Sequence, residues 1–352
     1  MQLRQALFRA DASPAIGTGH VIRCRTLARA LVPHGWAPKL ATHDLPDALV
    51  EGWPGGEAAI IRLADGDPGE PEPELISVAS DADGRVELVV VDHYDLGAAW
   101  FEALRRVRPG ASFMAIDDLA DRPLPVDLVL NQNLGVTPDA YAQLVPDGTR
   151  ILTGPRHALL RPEFATLRDR GRDRDGRIER ILIFMSGADP DDVTRRATVA
   201  IAAVDRPFDV VVGAAYAHLA GLRELLSGIG QATLHVNTDA MAELMDAADL
   251  AIGAPSSASW ERCALGLPTV LITLADNQMM AGEELDRLGA GLALGWHATV
   301  TAPDIEAVVR DLLEDPTRVA AMADEAAAIT DGRGTERVLR EIEAVRSGRM
   351  SA

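Results

Sequence analysis

The chain has 352 residues, of which 53 are acidic and 34 are lysine or arginine, giving a formal net charge of −19. At about 150 residues per domain this length predicts two domains, and the 47% apolar and 25% charged content is typical of a folded globular protein. The acidic excess excludes a general nucleic-acid or anionic-membrane surface, because both need a basic face.

Residue counts exclude several kinds of chemistry. Lys39 is the only lysine, so no Walker A sequence exists and any Schiff-base chemistry would depend on that residue. Cys24 and Cys263 are the only thiols, too few for a disulfide framework or a zinc knuckle. The sequence has no run of about 18 apolar residues and no apolar export signal, so we expect a cytoplasmic protein without a membrane span.

Apolar runs of strand length alternate with helical stretches, such as residues 20–33 and 97–107. Unbroken apolar runs bounded by turn residues are typical of strands buried on both faces of a parallel sheet. The predicted strands of the first series lie at residues 6–10, 39–43, 58–63, 86–92, 113–117, 127–131 and 150–154. The alternation predicts βαβ units.

Residues 168–177 contain only Arg, Asp and Gly, which indicates a solvated connection between two domains. The predicted domains are residues 1–167 and 178–352, with the last helix a candidate to pack back on the first domain. Residues 64–74, rich in proline and acidic residues, predict a surface loop.

A second strand series predicts the architecture of the other half. Its strands lie at residues 181–187, 208–214, 232–237, 250–255 and 269–275, and helices near 302–315, 316–330 and 334–347 close the chain. Two doubly wound halves joined once predict an α/β protein with two Rossmann-like domains that face each other across a cleft.

The loop after the first strand carries Gly17-Thr-Gly19-His20 at a helix start. The two glycines let the backbone approach a ligand, and the helix end offers free N–H groups. The positive helix end disfavours an imidazolium at His20, so its ring is able to accept a proton, and Arg23 lies beside it one turn on. The alternative is a tight turn with a chance histidine.

Asp92-His93-Tyr94 and Asp117-Asp118 end two further predicted strands. Adjacent Asp and His side chains could ligate a divalent metal, whereas carboxylates at strand ends often cap a helix or fix a neighbouring loop. We favour structural support and predict no metal site; the sequence leaves the individual roles of Asp92, His93, Asp117 and Asp118 open.

The second half repeats this strand–loop–helix pattern. Ser186-Gly187 follows its first strand, and Asp189 before Pro190 predicts an N-cap with proline at the first helical position. This loop is a candidate for contact with a nucleotide.

Two later loops bring further candidates. Ser256 or Ser257 is expected to cap a helix, and Glu261, one turn in, either accepts hydrogen bonds from a ribose diol or complements the helix dipole. Asn277 and Gln278 lie at another helix start, where their amides either donate to a pyrophosphate or serve as caps.

Two enzyme classes are disfavoured by missing motifs. No Gly-x-Ser-x-Gly follows a predicted strand, as a serine hydrolase would require. The dinucleotide motif Gly-x-Gly-x-x-Gly is broken, because Ile22 occupies its third glycine position.

The ordered segments RADASPAIGTGHVIRC, VDHYDL, IDDLADR, HALLRPEF, SGADPDD, GAPSSASWERCALGLP and DNQ resemble the UDP-2,4-diacetamido-2,4,6-trideoxy-β-L-altropyranose hydrolases of pseudaminic acid biosynthesis. They occur in the family's order from residue 9 to about residue 290, so the similarity covers most of the chain. The resemblance implies a GT-B fold like that of MurG-type transferases. It also implies hydrolysis of a UDP-sugar by water attack at the anomeric carbon with inversion, without metal or cofactor.

The resemblance also implies residue roles. His20 matches the family's candidate general base, Asp11 and Tyr94 match positions near the sugar, Glu261 would bind ribose hydroxyls, and Asn277 would help to hold the diphosphate. With a single lysine, arginines such as Arg23 or Arg161 would meet remaining negative charge. The predicted substrate-binding residues are Asp11, Gly17, Gly19, Arg23, Tyr94, Ser186, Gly187, Ser256, Ser257, Glu261, Asn277 and Gln278.

Other functions fit the same pattern. A MurG-like GT-B glycosyltransferase would pass the sugar of a UDP-sugar donor to an alcohol instead of water. An enzyme like UDP-N-acetylglucosamine 2-epimerase would need further acid and base groups, and a nucleotide-sugar-binding protein would need no His20. The sequence leaves the sugar's stereochemistry and the oligomeric state open.

Overall fold

The computed structural model describes residues 3–12, 18–64, 70–80 and 86–350. The chain divides into two compact units, one formed by Met1–Leu159 with Arg333–Ala352 and the other by Leu160–Gly332. None of the helices in the described ranges combines the length and apolarity that a bilayer crossing needs.

In the described part of the first unit, seven parallel strands form one sheet in the order β3-β2-β1-β4-β5-β6-β7. The strands are β1 Arg4–Ala10, β2 Trp36–Thr42, β3 Ile60–Arg62, β4 Val86–Asp92, β5 Ser112–Ile116, β6 Leu128–Asn131 and β7 Arg150–Thr153. The helices between them are α1 Gly19–Leu31, α2 Asp47–Val50, α3 Pro73–Ser80 and α4 Ala98–Val107.

Strand β1 shows why this sheet is covered on both faces. Phe8 packs in one apolar cluster, edge-on to Trp53 at 5.4 Å between ring centroids. Its neighbour Leu7 lies in a second cluster that contains Trp100. Because successive side chains of a strand point to opposite faces, the two clusters are the cores on the two sides of the sheet.

The second unit repeats the architecture with a parallel sheet in the order β10-β9-β8-β11-β12-β13. Its strands are β8 Ile181–Phe184, β9 Phe208–Val212, β10 Ala232–Val236, β11 Leu250–Gly253, β12 Thr269–Thr273 and β13 Gly291–Trp296. Its helices are α5 Pro162–Asp169, α6 Val193–Ala202, α7 Leu219–Leu226, α8 Met241–Ala247, α9 Ala258–Ala264, α10 Met279–Arg287, α11 Ala302–Glu314 and α12 Pro316–Ile329. The edge strand β13 was not predicted, because its two glycines leave only a short apolar run between them.

The last helix, α13 Gly334–Met350, packs in the first unit. Val338 and Ile342 are buried in its core. Glu343 accepts a hydrogen bond from the indole Nε1 of Trp36 at 3.0 Å and from Nη1 of Arg4 at 3.1 Å. The second unit therefore ends at Gly332, before the predicted residue 352, and the last helix, the candidate to pack back on the first domain, lies in the first unit.

The segment at residues 168–177, predicted as a solvated domain connection, belongs to the second unit. Arg168 donates to the carbonyls of Ala264, Ala327 and Thr330 at 2.8–3.0 Å, at the ends of α9 and α12. Arg174 donates to Leu265 at 2.9 Å, after α9. Guanidinium groups satisfy carbonyls that helix ends leave without partners, so the predicted boundary at 167–178 moves to Leu160.

Two glycines of this segment give a matched stability test. Gly176 has φ +85° and a Cβ there would lie 1.8 Å from the carbonyl oxygen of Pro316, whereas Gly171 has φ +68° and open space around it. We expect Gly171→Ala to lower the free energy of unfolding by about 1 kcal/mol through backbone strain, and Gly176→Ala by about 3 kcal/mol because a clash is added. Urea unfolding measures both, and equal losses would contradict this packing.

Candidate functional site

Polar residues gather at the carboxyl edge of the first sheet. Asp11 follows β1, Asp92 ends β4, and Asp117 and Asp118 follow β5. Parallel strands place these ends at one edge, and the sheet reverses its strand order between β1 and β4. Ligands of open α/β sheets bind at such a switch point.

His20 lies in the first turn of α1 and has only 11% of its side chain exposed. Its Nδ1 is 3.5 Å from Oδ1 of Asp92. The ring of Tyr94 meets it edge-on at 4.7 Å between centroids. Within the described ranges, no residue forms a hydrogen bond with Nε2 of His20.

The guanidinium of Arg23 bridges two carboxylates beside this histidine. Its Nε and Nη2 lie 2.6 Å from the two oxygens of Asp92, which is fully buried. Its Nη1 and Nη2 lie 3.0 and 2.8 Å from the two oxygens of Asp118. Burial would raise the pKa of Asp118, but Arg23 and the Tyr94 hydroxyl lower that pKa to about 2. Arg23 is therefore already paired with two carboxylates, and its contact with substrate stays a prediction.

Asp11 is held within a second ion cluster. Its Oδ1 accepts from the backbone N–H of His43 at 2.8 Å, and its Oδ2 lies 2.7 Å from Nη1 of Arg9 and 3.2 Å from Nε2 of His93. Burial opposes ionisation, yet His93 and Arg9 hold the pKa of Asp11 well below its usual range. With 8% of its side chain exposed, this carboxylate positions the sheet edge and His93.

Glu72 belongs to the same cluster, although nothing in the sequence indicates that it is buried. It lies in the predicted surface loop 64–74, of which residues 65–69 are outside the described ranges, but is 5% exposed. Its Oε1 accepts from Nε of Arg9 at 3.0 Å and lies 3.1 Å from Nε2 of His43. The composition of the loop concealed this buried carboxylate, because its burial becomes favourable only through partners that are distant in the sequence, such as Arg9.

Asp117 has the supporting role that was favoured for strand-end carboxylates. It is fully buried and accepts from the hydroxyl of Tyr141 at 2.7 Å, Nη1 of Arg122 at 2.8 Å and the N–H of Ala120 at 2.8 Å. These bonds hold the loop in which Ala120 has φ +51°. Within the described residues, no three or more His, Cys, Asp or Glu side chains are arranged to hold a metal ion.

Asn133 is a second residue that the sequence reasoning missed. Its Nδ2 donates to Oδ1 of Asp118 at 3.0 Å. The signal was available, since Asn133 closely follows β6 at the same carboxyl edge. Gly19 begins α1, whereas Gly17 lies outside the described residues.

The Ser186–Asp189 loop of the second unit differs from its predicted cap. Asp189 accepts from the N–H groups of Val193 and Thr194 at 3.2 and 2.7 Å, so it caps a helix that begins at Val193 and not at Pro190. The hydroxyl of Ser186 accepts from the N–H of Asp189 at 2.8 Å. The turn needs a positive φ at Asp189, which the sequence does not reveal.

Gly187 is a point of close backbone approach. A Cβ at Gly213 would lie 2.4 Å from the carbonyl oxygen of Gly187. The loops after β8 and β9 therefore touch through their main chains, which two small residues permit.

In the loop before α9, the hydroxyls of Ser256 and Ser257 form no hydrogen bond with any residue that the structure describes. Ser256 and Ser257 were expected to cap the helix, but the cap residue Ser257 makes no such side-chain bond. Glu261 lies in the first turn with a fifth of its side chain exposed, and Nη2 of Arg161 is 3.9 Å from its Oε1. Burial raises the pKa of Glu261 to about 6, against the opposing charges of Arg161 and Arg262.

Arg262, next along α9, is 2% exposed. Its Nη2 donates to the carbonyl of Ala254 at 2.7 Å and to the hydroxyl of Ser259 at 2.9 Å. Among the described residues no carboxylate lies within 4.0 Å of it, and burial lowers its pKa to about 10. It therefore holds the Gly253–Ser257 loop while leaving a positive charge at this sheet edge.

The loop after β12 carries two amide side chains for which the sequence predicts the same roles, and the structure distinguishes them. The Oε1 of Gln278 accepts from the N–H of Leu274 at 2.9 Å and closes the turn. Asn277 is exposed, and no hydrogen bond to it is formed by the described residues. Asn277 is thus the amide open to a ligand, and α10 begins just after it at Met279.

Comparison with known proteins bears first on the second unit. Residues 228–338 match the model of the glycosyltransferase family 28 C-terminal domain. Two solved structures resemble nearly the whole chain: MurG of Acinetobacter baumannii, 15% identical with a TM-score of 0.64 over 97% of this chain and 99% of that one, and UGT2 of Phytolacca americana, 11% identical with a TM-score of 0.65 over 98% and 100%. The fold is GT-B. The prediction of an α/β protein with two Rossmann-like units is confirmed.

Two curated relatives are similar to this chain in amino-acid sequence over part of its length. The spore coat polysaccharide biosynthesis protein SpsG of Bacillus subtilis is 28% identical over 60% of this chain and 63% of its own length. The UDP-2,4-diacetamido-2,4,6-trideoxy-β-L-altropyranose hydrolase of Campylobacter jejuni is 29% identical over 46% of this chain and 53% of its own. The chain thus spans less than two thirds of either relative.

Two tyrosine–aspartate pairs give a matched test of the first sheet edge. The hydroxyl of buried Tyr141 donates to Asp117 and accepts from Asn131, whereas the hydroxyl of half-buried Tyr94 has one hydrogen-bond partner among the described residues, Asp118, to which it donates. We expect Tyr141→Phe to lower the free energy of unfolding by about 2 kcal/mol, because a buried donor and acceptor both lose a partner, and Tyr94→Phe by at most about 1 kcal/mol. Denaturant titration compares them; a larger loss in Tyr94→Phe would be inconsistent with this network.

Proposed function

We propose that the protein hydrolyses a UDP-activated 2,4-diacetamido-2,4,6-trideoxy sugar to UDP and the free sugar. Support comes from the glycosyltransferase-like fold, the partial likeness to the Campylobacter hydrolase, and above all the Asp92–His20 pair at the first sheet edge. On this proposal the first unit supplies the base and the second unit holds UDP.

His20 is the proposed general base. Asp92 faces its Nδ1 and Tyr94 packs against its ring, so the imidazole has a fixed orientation with Nε2 left to take a proton from water. Attack of that water at the anomeric carbon breaks the bond to the diphosphate oxygen and leaves the electron pair on UDP. One such base contributes about 10²–10⁴-fold to a rate, and UDP leaves readily without an acid.

The loops of the second unit suit a uridine diphosphate. A carboxylate at Glu261 has two oxygens for a ribose diol, while the hydroxyls of Ser256 and Ser257 and the amide of Asn277 are donors for phosphate oxygens. The buried charge of Arg262 adds positive potential where charge grows as UDP departs. On this proposal, neutral donors and one buried arginine bind the diphosphate without a lysine.

The second candidate is a GT-B glycosyltransferase that passes the sugar to an alcohol. The observation in its favour is the match of residues 228–338 to a glycosyltransferase domain. Both candidates share the UDP loops, so the acceptor decides between them.

Turnover in ¹⁸O-water tests the hydrolase proposal. We expect the UDP-activated diacetamido sugar to be cleaved in the presence of EDTA, releasing UDP without label, because water attacks carbon and not phosphorus. Mass spectrometry of UDP is the decisive measurement, since the free sugar's anomeric oxygen also exchanges with solvent. Labelled UDP, dependence on metal, or turnover only after an alcohol is added would each overturn the proposal.

A histidine variant accompanies this test. His20→Ala should bind UDP as the wild type does and lose about 10²-fold or more in turnover. His34→Ala, which removes an exposed imidazole of the same unit, is the control and should retain both. Similar turnover in His20→Ala would remove this residue from the base role.

The pKa of Glu261 predicts a pH dependence of UDP binding. Because the carboxylate accepts the ribose hydrogen bonds and its pKa is about 6, affinity should be constant above pH 7 and fall as the pH drops through 6. The terminal phosphate of UDP also titrates near pH 6, so the ratio of wild-type to Glu261→Gln affinity is the measurement. Calorimetry should give a ratio of about ten above pH 7 that shrinks towards one at pH 5.

Glu163→Gln is the matched control for this pH dependence. Glu163 pairs with the same Arg161, at 3.0 Å, but has no proposed contact with UDP. The ratio of wild-type to Glu163→Gln affinity for UDP should stay near one at every pH. If the ratio of wild-type to Glu261→Gln affinity does not change with pH, the proposed ribose contact is wrong.

A further inference from the structure

The charged groups that the structure describes beside His20 do not form neutral pairs, because carboxylates outnumber cations there. Arg23 is one cation between two carboxylates, Asp92 and Asp118. With His20 neutral, these three charged groups carry a net charge of −1. When His20 takes a proton, the sum becomes zero.

The nearest carboxylate does not by itself supply the balancing charge. Asp92 is bound by Arg23 through both of its oxygens at 2.6 Å, and the thiol of buried Cys24 lies 3.7 Å from its Oδ2. The positive end of α1 has no acidic residue in its first turn. An imidazolium at His20 would face a helix end and a neutralised aspartate, both unfavourable to it.

The structure assigns to Asp118 the charge that balances a protonated His20, which makes it a positioning residue for the base of the proposed hydrolysis. This inference rests on the proposed function, but its electrostatic part concerns the free protein. Asp118 reaches His20 by two contact paths, through Arg23 to Asp92 and through the Tyr94 hydroxyl at 2.8 Å to the ring that packs on the imidazole.

Asp118 is built to stay ionised. It accepts two hydrogen bonds from Arg23, one from Tyr94 and one from Nδ2 of Asn133 at 3.0 Å. Arg23 and Tyr94 keep the pKa of Asp118 at about 2, against burial. Its negative charge is therefore present throughout the pH range in which histidine titrates.

The experiment is an NMR titration of the histidine rings in the protein without substrate. The chain has eight histidines, and the signal absent from His20→Ala identifies the one of interest. In Asp118→Asn we expect the titration midpoint of the His20 ring to move down by about one pH unit relative to the wild type, because the balancing charge is lost. An unchanged midpoint in Asp118→Asn overturns the inference.

Two controls separate charge from shape. Asp118→Glu retains the charge and should keep the wild-type midpoint, whereas a shift in that variant equal to that of Asp118→Asn would overturn the charge argument. Asp121→Asn removes a largely exposed carboxylate of the same loop and should leave the midpoint unchanged. If Asp118→Asn does not fold, Asp118→Ser makes the same charge test.

Kinetics with the UDP-sugar add a second readout. Asp118→Asn should lower kcat about tenfold with KM within twofold, because a weaker base accepts the proton less readily, and the acidic limb of the pH profile should move down with the NMR midpoint. A lower kcat with an unmoved limb would mean that Asp118 only supports the fold. If the wild type does not hydrolyse the UDP-sugar, the proposed function fails, while the NMR midpoint still decides the role of Asp118.

Discussion

The buried guanidinium of Arg23 is the interaction on which the first sheet edge depends. It joins α1 to the ends of β4 and β5 by four hydrogen bonds to Asp92 and Asp118. Removing one partner of such a buried pair costs about 3–5 kcal/mol, because it leaves a charge without compensation. The same bonds set the position of His20, which lies one turn before Arg23, so stability and site geometry rest on one cation.

Parallel topology explains why so many ionisable groups can meet there. All strands of the first sheet end at the same edge, and four of them contribute an ionisable residue there: Asp92 ends β4, while Asp11, His43 and Asp118 closely follow β1, β2 and β5. Every one of these side chains would be costly to bury alone. Partners from neighbouring strands and from α1 offset that cost: His93 faces Asp11, Tyr94 donates to Asp118, and Arg23 pairs with Asp92.

The sequence predicted the helix that carries His20 and every strand except β13, because those elements depend on local apolar runs and turn residues. It could not predict pairings between distant residues. Arg174 was interpreted as part of a solvated segment, although it donates to carbonyls more than 70 positions away, as at Ala248. Glu72 was placed on the surface for the same reason, because its partner Arg9 is 63 residues away. The start of α6 was misplaced since it depends on a positive φ at Asp189 that residue type does not encode.

Each unit has a buried arginine, but the charges of the groups around it differ. The difference fits the proposed roles of the two units. Arg23 has two carboxylates and leaves its surroundings negative, which suits a histidine that becomes positive. Arg262 donates to the carbonyl of Ala254 and a hydroxyl, with no carboxylate within 4.0 Å in the described part of the chain, and leaves its surroundings positive. That suits a departing diphosphate. A net charge of −19 therefore does not conflict with an anionic ligand, because the local count of partners around each buried arginine sets the potential at each sheet edge.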